Sequence, residues 1–288
     1  MKKTIIRLQG GLGNQLFQYA LALKLKRNNP SSSIYLDKEY FLRDKSRKCV
    51  IETYNLEIPF IKFVEGLVWQ GVDILDIHGY IHSSALLKES DCFNKFNINE
   101  MYGRYICGSW QNYSVLSDVI EEMAVKLVHN DSNNYILEQY IKRIKNTNSV
   151  AIHIRKGDYA SPTYSSLYVV QNKEYYSLAI EKIVQIVDTP VFYVFTDDSS
   201  YSKIILKTFE EKYEIHFLCE ELRCSDTIEF EIMRCCKHFI ISNSTFSWWA
   251  AQLNLHPQKI IIAPSNWFYD DTLNKKCIDN LLTDKIII

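Results

Sequence analysis

The chain has 288 residues, 47% of them hydrophobic and 23% charged, which is typical of a folded globular protein and excludes a low-complexity chain. Basic residues number 33 and acidic residues 34, so the formal net charge is -1. This balance provides no general attraction for nucleic acid, and any polyanion must be bound by a local site.

The sequence predicts a cytoplasmic protein. No stretch reaches the roughly 18 uncharged apolar residues of a membrane span, and the apolar run in MKKTIIRLQGG is too short for a signal peptide. The eight cysteines form no CxxC pair and no zinc-like spacing, which favours free thiols in a reducing compartment. Peripheral attachment to the inner face of the membrane stays open.

The chain opens with a pattern typical of a βαβ unit, with strands at 4–9 and 33–37 and a helix at 14–27. Residues 40–105 show no clear register and contain a predicted helix near 60–77. A strand that runs into a loop is predicted at 105–112, and helices at 115–128 and 134–146.

The polar stretch NTNS at 146–149 has turn chemistry and predicts a domain boundary. It divides the chain into an N-terminal domain, 1–147, and a C-terminal domain, 148–288. In the second domain, short β-branched runs alternate with helical runs, which indicates a parallel sheet covered on both faces. The predicted strands are SVAIHI, PVFYVFT, EIHFL, HFIIS and KIIIAP. We therefore expect two Rossmann-like domains, with ligands bound beyond the carboxyl ends of the strands.

The first of these strands ends in the motif HIRKGDY, residues 153–159. The planar, permanently charged guanidinium of Arg155 suits a phosphate group. An ion pair between Arg155 and Asp158 explains the same residues equally well.

A second polar group follows HFIIS, where Asn243, Ser244 and Thr245 precede an apolar helix. They predict a helix N-terminus, which presents free N–H groups to an anion. An ordinary N-cap is the commoner use of these residues. Because Arg155 and this helix can meet at one sheet edge, we expect them to bind a single phosphorylated ligand.

Carboxylates follow or precede two other predicted strands. Those of TDD, 196–198, could bind a ribose or cap the next helix, and capping is the commoner role. Glu229 and Glu231 lie on the element before HFIIS, where one of them could bind a purine base and the other face outward.

The N-terminal turn GGLGN matches only part of the dinucleotide fingerprint GxGxxG. Gly11 and Gly13 supply two glycines, but the third position is Leu16. Asp37 sits where a ribose-binding acid would lie, so an NAD-dependent oxidoreductase is the alternative hypothesis. A tight turn that carries Asn14 toward a ligand cleft is the preferred interpretation.

Together these motifs resemble the bacterial α-1,2-fucosyltransferases of glycosyltransferase family 11. The similar stretches are GGLGNQLFQYA, HIRKGDY and SNSTFSWWAAQL, in the family's order. The resemblance implies an α/β, GT-B-like fold with two Rossmann-like domains facing across a cleft. It also implies inverting transfer from GDP-β-L-fucose to the 2-OH of a galactoside. The chain contains no DxD motif, which agrees with a reaction that needs no metal ion. The implied acceptor is a galactose-terminated glycan of either a lipid-linked O-antigen repeat or a capsule.

The resemblance also assigns expected roles. Arg155 would bind the diphosphate, and Glu229 would bind guanine where relatives carry Asp. Catalytic candidates are Arg155, Asp158, His153 and Asn14, the last as an amide that orients the acceptor. No general base is identified, and Lys156 replaces an arginine of the family motif. The expected donor-binding residues are Arg155, His153, Glu229, Ser242, Asn243, Ser244, Thr245, Phe246, Gly11 and Gly13.

Overall fold

The computed structural model describes residues 3–78, 83–89, 97–130, 135–221, 224–283 and 285–288. The chain forms two compact units, Met1–Asn130 and Asp131–Ile288. The division falls earlier than the predicted boundary at 147/148, because the helix Tyr135–Lys145 packs against elements of the second unit.

The first unit is built on a four-stranded parallel sheet. Its strands, in the order β2-β1-β4-β3, are β1 (Thr4–Arg7), β2 (Ile34–Asp37), β3 (Leu86–Lys88) and β4 (Tyr105–Cys107). Its helices are α1 (Leu12–Asn28), α2 (Phe63–Ile77) and α3 (Tyr113–Lys126). The predicted opening βαβ unit is confirmed. β3 lies in the region whose register the sequence left open.

The second unit contains a six-stranded parallel sheet in the order β10-β9-β8-β5-β6-β7. Its strands are β5 (Asn148–Ile154), β6 (Pro190–Thr196), β7 (Ile215–Phe217), β8 (His238–Ile240), β9 (Ile261–Ala263) and β10 (Ile286–Ile287). Its helices are α4 (Tyr135–Lys145), α5 (Lys173–Val184), α6 (Ser199–Glu210), α7 (Leu218–Glu221), α8 (Asp226–Arg234), α9 (Thr245–Gln252) and α10 (Asp271–Leu281). Counted from β5, this is the Rossmann strand order 3-2-1-4-5-6.

The sheet of the second unit has its topological switch point between β5 and β8. β5 pairs with β8 on one side, with Ile152 opposite Ile240, and with β6 on the other, with Ile154 opposite Thr196. The carboxyl ends of all three strands therefore meet at one edge, where open sheets of this type bind ligands. The buried strand residues pack against α5 and α6 in one apolar core.

The residues that the structure describes bear on two predictions, the lack of a membrane-spanning segment and the free cysteine thiols. Among those residues, no helix is long and apolar enough to cross a membrane. Seven cysteines carry free thiols, and Cys92 lies outside the described residues.

Candidate functional site

Arg155 follows β5 directly and is held between two carboxylates. Its Nη2 donates a hydrogen bond to Oδ1 of Asp158 at 2.8 Å, and its Nη1 lies 2.8 Å from Oδ2 of Asp197. The guanidinium carbon also lies 5.6 Å from the centre of the Tyr159 ring. A guanidinium has five N–H donors, so the two carboxylates fix its orientation and leave donors for a further anion.

Asp197 organises the turn around Arg155. Its Oδ1 accepts hydrogen bonds from the backbone N–H groups of Lys156 at 2.9 Å and Gly157 at 3.1 Å. A Cβ atom at position 157 would lie 2.6 Å from Oδ2 of Asp197, so any side chain there would displace this carboxylate. Sequence reasoning missed this role, although the pairing of Ile154 with Thr196 places Asp197 beside Arg155.

Asp198 caps the next helix, which is the commoner of the two roles considered for the TDD stretch. Its Oδ1 accepts a hydrogen bond from the backbone N–H of Tyr201 at 2.9 Å and caps α6. Its Oδ2 accepts one from Nζ of Lys156 at 3.0 Å. Lys156, which replaces an arginine of the family motif, is thus paired within the site.

The α9 N-terminus follows β8 at the edge where β5 and β8 end, as predicted, and this edge is the switch point of the sheet. Ser244 is the N-cap of α9, with Oγ accepting a hydrogen bond from the backbone N–H of Phe246 at 3.3 Å. Thr245 and Phe246 are half-buried, so the first turn of α9 reaches the surface of the unit. Its N–H groups and the positive end of the helix dipole suit an anion.

Ser242 and Asn243 are buried and hold neighbouring loops in place. Nδ2 of Asn243 donates hydrogen bonds to the carbonyl oxygens of Val169 at 2.8 Å and Trp267 at 3.0 Å. The hydroxyl of Tyr159 donates one to the carbonyl oxygen of Asn243 at 2.9 Å, and the Ser242 hydroxyl donates one to Oδ1 of Asn243. This geometry ties the loop after Arg155 to the segment before α9.

His153 is buried beneath the same edge. Its Nδ1 lies 2.9 Å from Oγ of Ser247, and its ring centre is 5.8 Å from that of Phe246. Burial, reinforced by the nearby charge of Arg155, lowers the pKa of His153 to about 3. The imidazole is therefore neutral at physiological pH and poorly matched to a general base, whose best pKa lies near the working pH.

Glu229 is half-buried on α8. Burial raises the pKa of Glu229 to about 7, the carboxylates of Asp226 and Asp197 add to the rise, and the charge of Arg155 opposes it. Glu231 instead lies 3.4 Å from Nη1 of Arg234 on the same helix. Phe230, the next residue of α8, packs against Phe246 of α9 with ring centres 5.2 Å apart, so this part of α8 lies beside the α9 N-terminus.

We expect Glu229→Gln to raise thermal stability more at pH 8 than at pH 5. Between its ordinary pKa of 4.5 and about 7, folded Glu229 holds a proton that the unfolded chain releases, so its contribution to stability falls as pH rises through this window. The melting temperature of the variant minus that of the wild type should therefore increase across it. His153 and His238 also titrate abnormally but are common to both proteins. Glu231→Gln is the control, and a pH-independent difference for Glu229→Gln would contradict the assignment.

The N-terminal turn lies at the carboxyl end of β1. Gly10 has a φ of 73°, a conformation that favours glycine, and Gly11 is the N-cap residue of α1. Oδ1 of the half-buried Asn14 accepts a hydrogen bond from Nε2 of Gln111 at 3.0 Å. Gly13 is buried within the first turn of α1. The predicted tight βα turn is confirmed, whereas ligand contacts of Gly11, Gly13 and Asn14 stay predictions.

Asp37 is not placed to bind a ribose. Its side chain is buried, and Oδ2 accepts hydrogen bonds from the Tyr105 hydroxyl at 2.6 Å and from Nε2 of Gln70 at 3.2 Å. Oδ1 accepts one from the backbone N–H of Glu39 at 2.8 Å. The ribose-binding role considered for Asp37 is therefore wrong, because its oxygens are used to join β2, β4 and α2.

Comparison with known structures identifies the fold. The chain is similar to NodZ, an α-1,6-fucosyltransferase of Bradyrhizobium whose crystals were soaked with GDP-fucose, with a TM-score of 0.55 and 11% identity. The likeness covers 91% of this chain and 95% of NodZ. The likeness and the two parallel sheets show a fold of two Rossmann-like units, which confirms the predicted GT-B fold class.

The family is defined by sequence. The chain belongs to glycosyltransferase family 11, whose model matches residues 4–285. It is 30% identical to the O-antigen biosynthesis glycosyltransferase WbnK of Escherichia coli, over 95% of this chain and 97% of that protein. It is 29% identical to an α-1,2-colitosyltransferase of Escherichia coli, over 95% of each chain. The family assignment and the buried Asp37 together rule against the oxidoreductase alternative.

Proposed function

We propose that this enzyme transfers L-fucose from GDP-β-L-fucose to the 2-OH of a galactoside, with inversion at the anomeric carbon. The observation that carries the proposal is the clamped Arg155 beside the α9 N-terminus at the switch point of a Rossmann sheet. Family membership, the GDP-fucose named for NodZ and the α-1,2 linkage named for the colitosyltransferase support it.

The donor diphosphate would be bound by Arg155 and by the first N–H groups of α9. Both are held by the protein before the ligand arrives, so little reorganisation is needed when negative charge develops. Ser244, Thr245 and Phe246 contribute the helix terminus, while Ser242 and Asn243 hold the loops around it. His153 would line this pocket as a neutral side chain.

Glu229 is proposed to bind the guanine base. The Watson–Crick edge of guanine carries two N–H donors that a carboxylate can accept together, whereas adenine offers no such pair. With a pKa raised to about 7, Glu229 ionises near neutral pH, and the base's donors would favour the ionised form.

The reaction is a single displacement at the fucose C1 atom. The acceptor oxygen attacks C1, the bond from C1 to the diphosphate oxygen breaks, and GDP leaves with the electron pair. The acceptor hydroxyl loses its proton. Arg155 and the α9 terminus stabilise the charge gained by the leaving diphosphate, without a metal ion. Asp158 is the proposed candidate for the proton acceptor, and Asn14 is proposed to orient the acceptor hydroxyl.

A colitosyl donor is a second candidate, because the colitosyltransferase is nearly as similar to this chain as WbnK. Colitose differs from fucose by one missing hydroxyl group. A site that hydrogen-bonds that hydroxyl discriminates strongly against the sugar that lacks it, since its polar groups are left unpaired.

The decisive experiment incubates the enzyme with GDP-fucose and a panel of galactosides, with and without EDTA. GDP release, product mass and the NMR linkage of the new sugar are measured. We expect an α-1,2-fucosylated galactoside, formed equally in EDTA. GDP-colitose, GDP-mannose and UDP-galactose are the donor controls. A preference for GDP-colitose would show that the donor sugar is colitose and not fucose. A product linked at a position other than O2 would contradict the proposed α-1,2 linkage.

A further inference from the structure

Helix α2 of the first unit has an inverted distribution of polar and apolar residues. The residues that it buries are Gly66, Gln70 and Asp73. The large side chains that it exposes are all apolar, namely Phe63, Val64, Leu67, Val68, Ile74, Leu75 and Ile77. Val64 is 71% exposed and Val68 60% exposed. Single exposed apolar residues are normal on a protein surface. A contiguous apolar face of this kind instead marks a site that contacts another protein or a membrane.

The acidic residues of α2 leave this outer face without charge. Asp73 lies 2.7 Å from Nη1 of Arg7 and Glu65 lies 2.6 Å from Nζ of Lys3, both on the side facing β1. Asp76 pairs with Lys88 at the end of β3. All three carboxylates are therefore paired with basic side chains of the first unit, and the large exposed side chains of α2 form an uncharged strip.

A basic segment adjoins the helix. The short 3-10 helix Glu39–Leu42 packs on α2 so closely that a Cβ at Gly66 would lie 2.5 Å from Cγ of Glu39. The residues that follow, 43–48, read RDKSRK and carry four basic side chains against one acidic, and all of them except the half-buried Asp44 are exposed. Arg43 begins the segment and lies 3.2 Å from Asp73 of α2. Apolar and cationic surfaces are thus neighbours in the first unit.

We propose that the outer face of α2 and the segment 43–48 form a docking surface for a bilayer of anionic phospholipid. Interfacial helices insert one apolar face at the boundary of headgroups and acyl chains, and neighbouring cations add attraction to anionic lipids. The charge of the adjoining segment complements such a surface. This inference concerns where the enzyme works and does not depend on the identity of its donor.

A second copy of the chain fits this surface less well. The helix has 15 residues and so offers a strip about 22 Å long and roughly 10 Å wide. A stable dimer buries about 800 Å² of each partner, which is several times the area of this strip. A lipid surface needs only one such strip, and the basic segment beside it complements anionic headgroups.

Vesicle flotation tests the proposal. The wild type should float with vesicles of 30% phosphatidylglycerol and 70% phosphatidylethanolamine, and bind phosphatidylcholine vesicles more weakly. Val64→Ser/Leu67→Ser/Val68→Ser should reduce binding at least about 10-fold, because the inserted apolar area is lost. Val125→Ser/Ile204→Ser removes apolar side chains of similar exposure on other helices and should bind as the wild type does.

A charge variant provides the second arm. Lys45→Ser/Lys48→Ser should weaken binding to the anionic vesicles about 5-fold per lysine at low salt, whereas Lys207→Ser/Lys212→Ser should not. Circular dichroism and melting curves verify folding, and light scattering reports the oligomeric state. Failure of the wild type to float, or normal flotation of the α2 triple variant, would overturn the proposal. A dimer that the triple variant dissociates, without vesicle binding, would assign the face to a second copy instead.

Discussion

Replacing Arg155 with Ala should lower kcat for sugar transfer by about 10²- to 10³-fold, the loss seen when one preorganised donor to a developing negative charge is removed. The guanidinium is already fixed by Asp158 and Asp197, so its contribution to the transition state requires no reorientation. The measurement is steady-state GDP release with GDP-fucose and the best galactoside.

Two further variants make the test specific. Arg155→Lys retains the charge but loses the planar fork, so we expect an intermediate loss. Arg143→Ala removes an arginine that also pairs with a carboxylate, Glu221, at the surface of the second unit, and should leave kcat unchanged. An Arg155→Ala enzyme with kcat within about 3-fold of wild type would show that the diphosphate charge is met elsewhere.

The second unit was predictable because its strands are short, β-branched and separated by helices of clear periodicity. Because crossovers between parallel strands are right-handed, the strand order can be predicted from the sequence. That order brings the carboxyl ends of β5 and β8 together at one edge. The last helix and strand, α10 and β10, were not predicted. The alternation of strands and helices predicts a last strand at KIIIAP, whereas the sheet continues to Ile286–Ile287.

The first unit was less predictable for physical reasons that individual residues show. The periodicity of α2 is real, but its apolar face points outward, so pattern alone identifies the helix and misjudges what it buries. Asp37 matched a ribose-binding position in sequence, yet the carboxylate is used by Tyr105 and Gln70, which lie far along the chain. Long-range hydrogen bonds of this kind leave no local signal.

Asp197 is the positioning residue that this structure adds to the proposed mechanism, and Asp197→Asn should lower kcat about 10- to 100-fold, in the range expected when a catalytic group is slightly misplaced. The amide can still accept from the backbone N–H groups of Lys156 and Gly157 through its oxygen. Its NH₂ group would then face Nη1 of Arg155. Because both groups are hydrogen-bond donors, they cannot pair, and the guanidinium must turn away.

Kinetics distinguish this role from a structural one. Because the guanidinium acts most strongly on charge formed in the transition state, kcat should fall more than the KM for GDP-fucose rises. Asp197→Asn should add little to Arg155→Lys, since both changes disturb one unit. The matched control is Asp198→Asn, whose carboxylate caps α6 and pairs with Lys156; it should cost about 1 kcal/mol of stability or less and little turnover. Fully additive losses for Arg155→Lys and Asp197→Asn would mean that Asp197 does not act through Arg155.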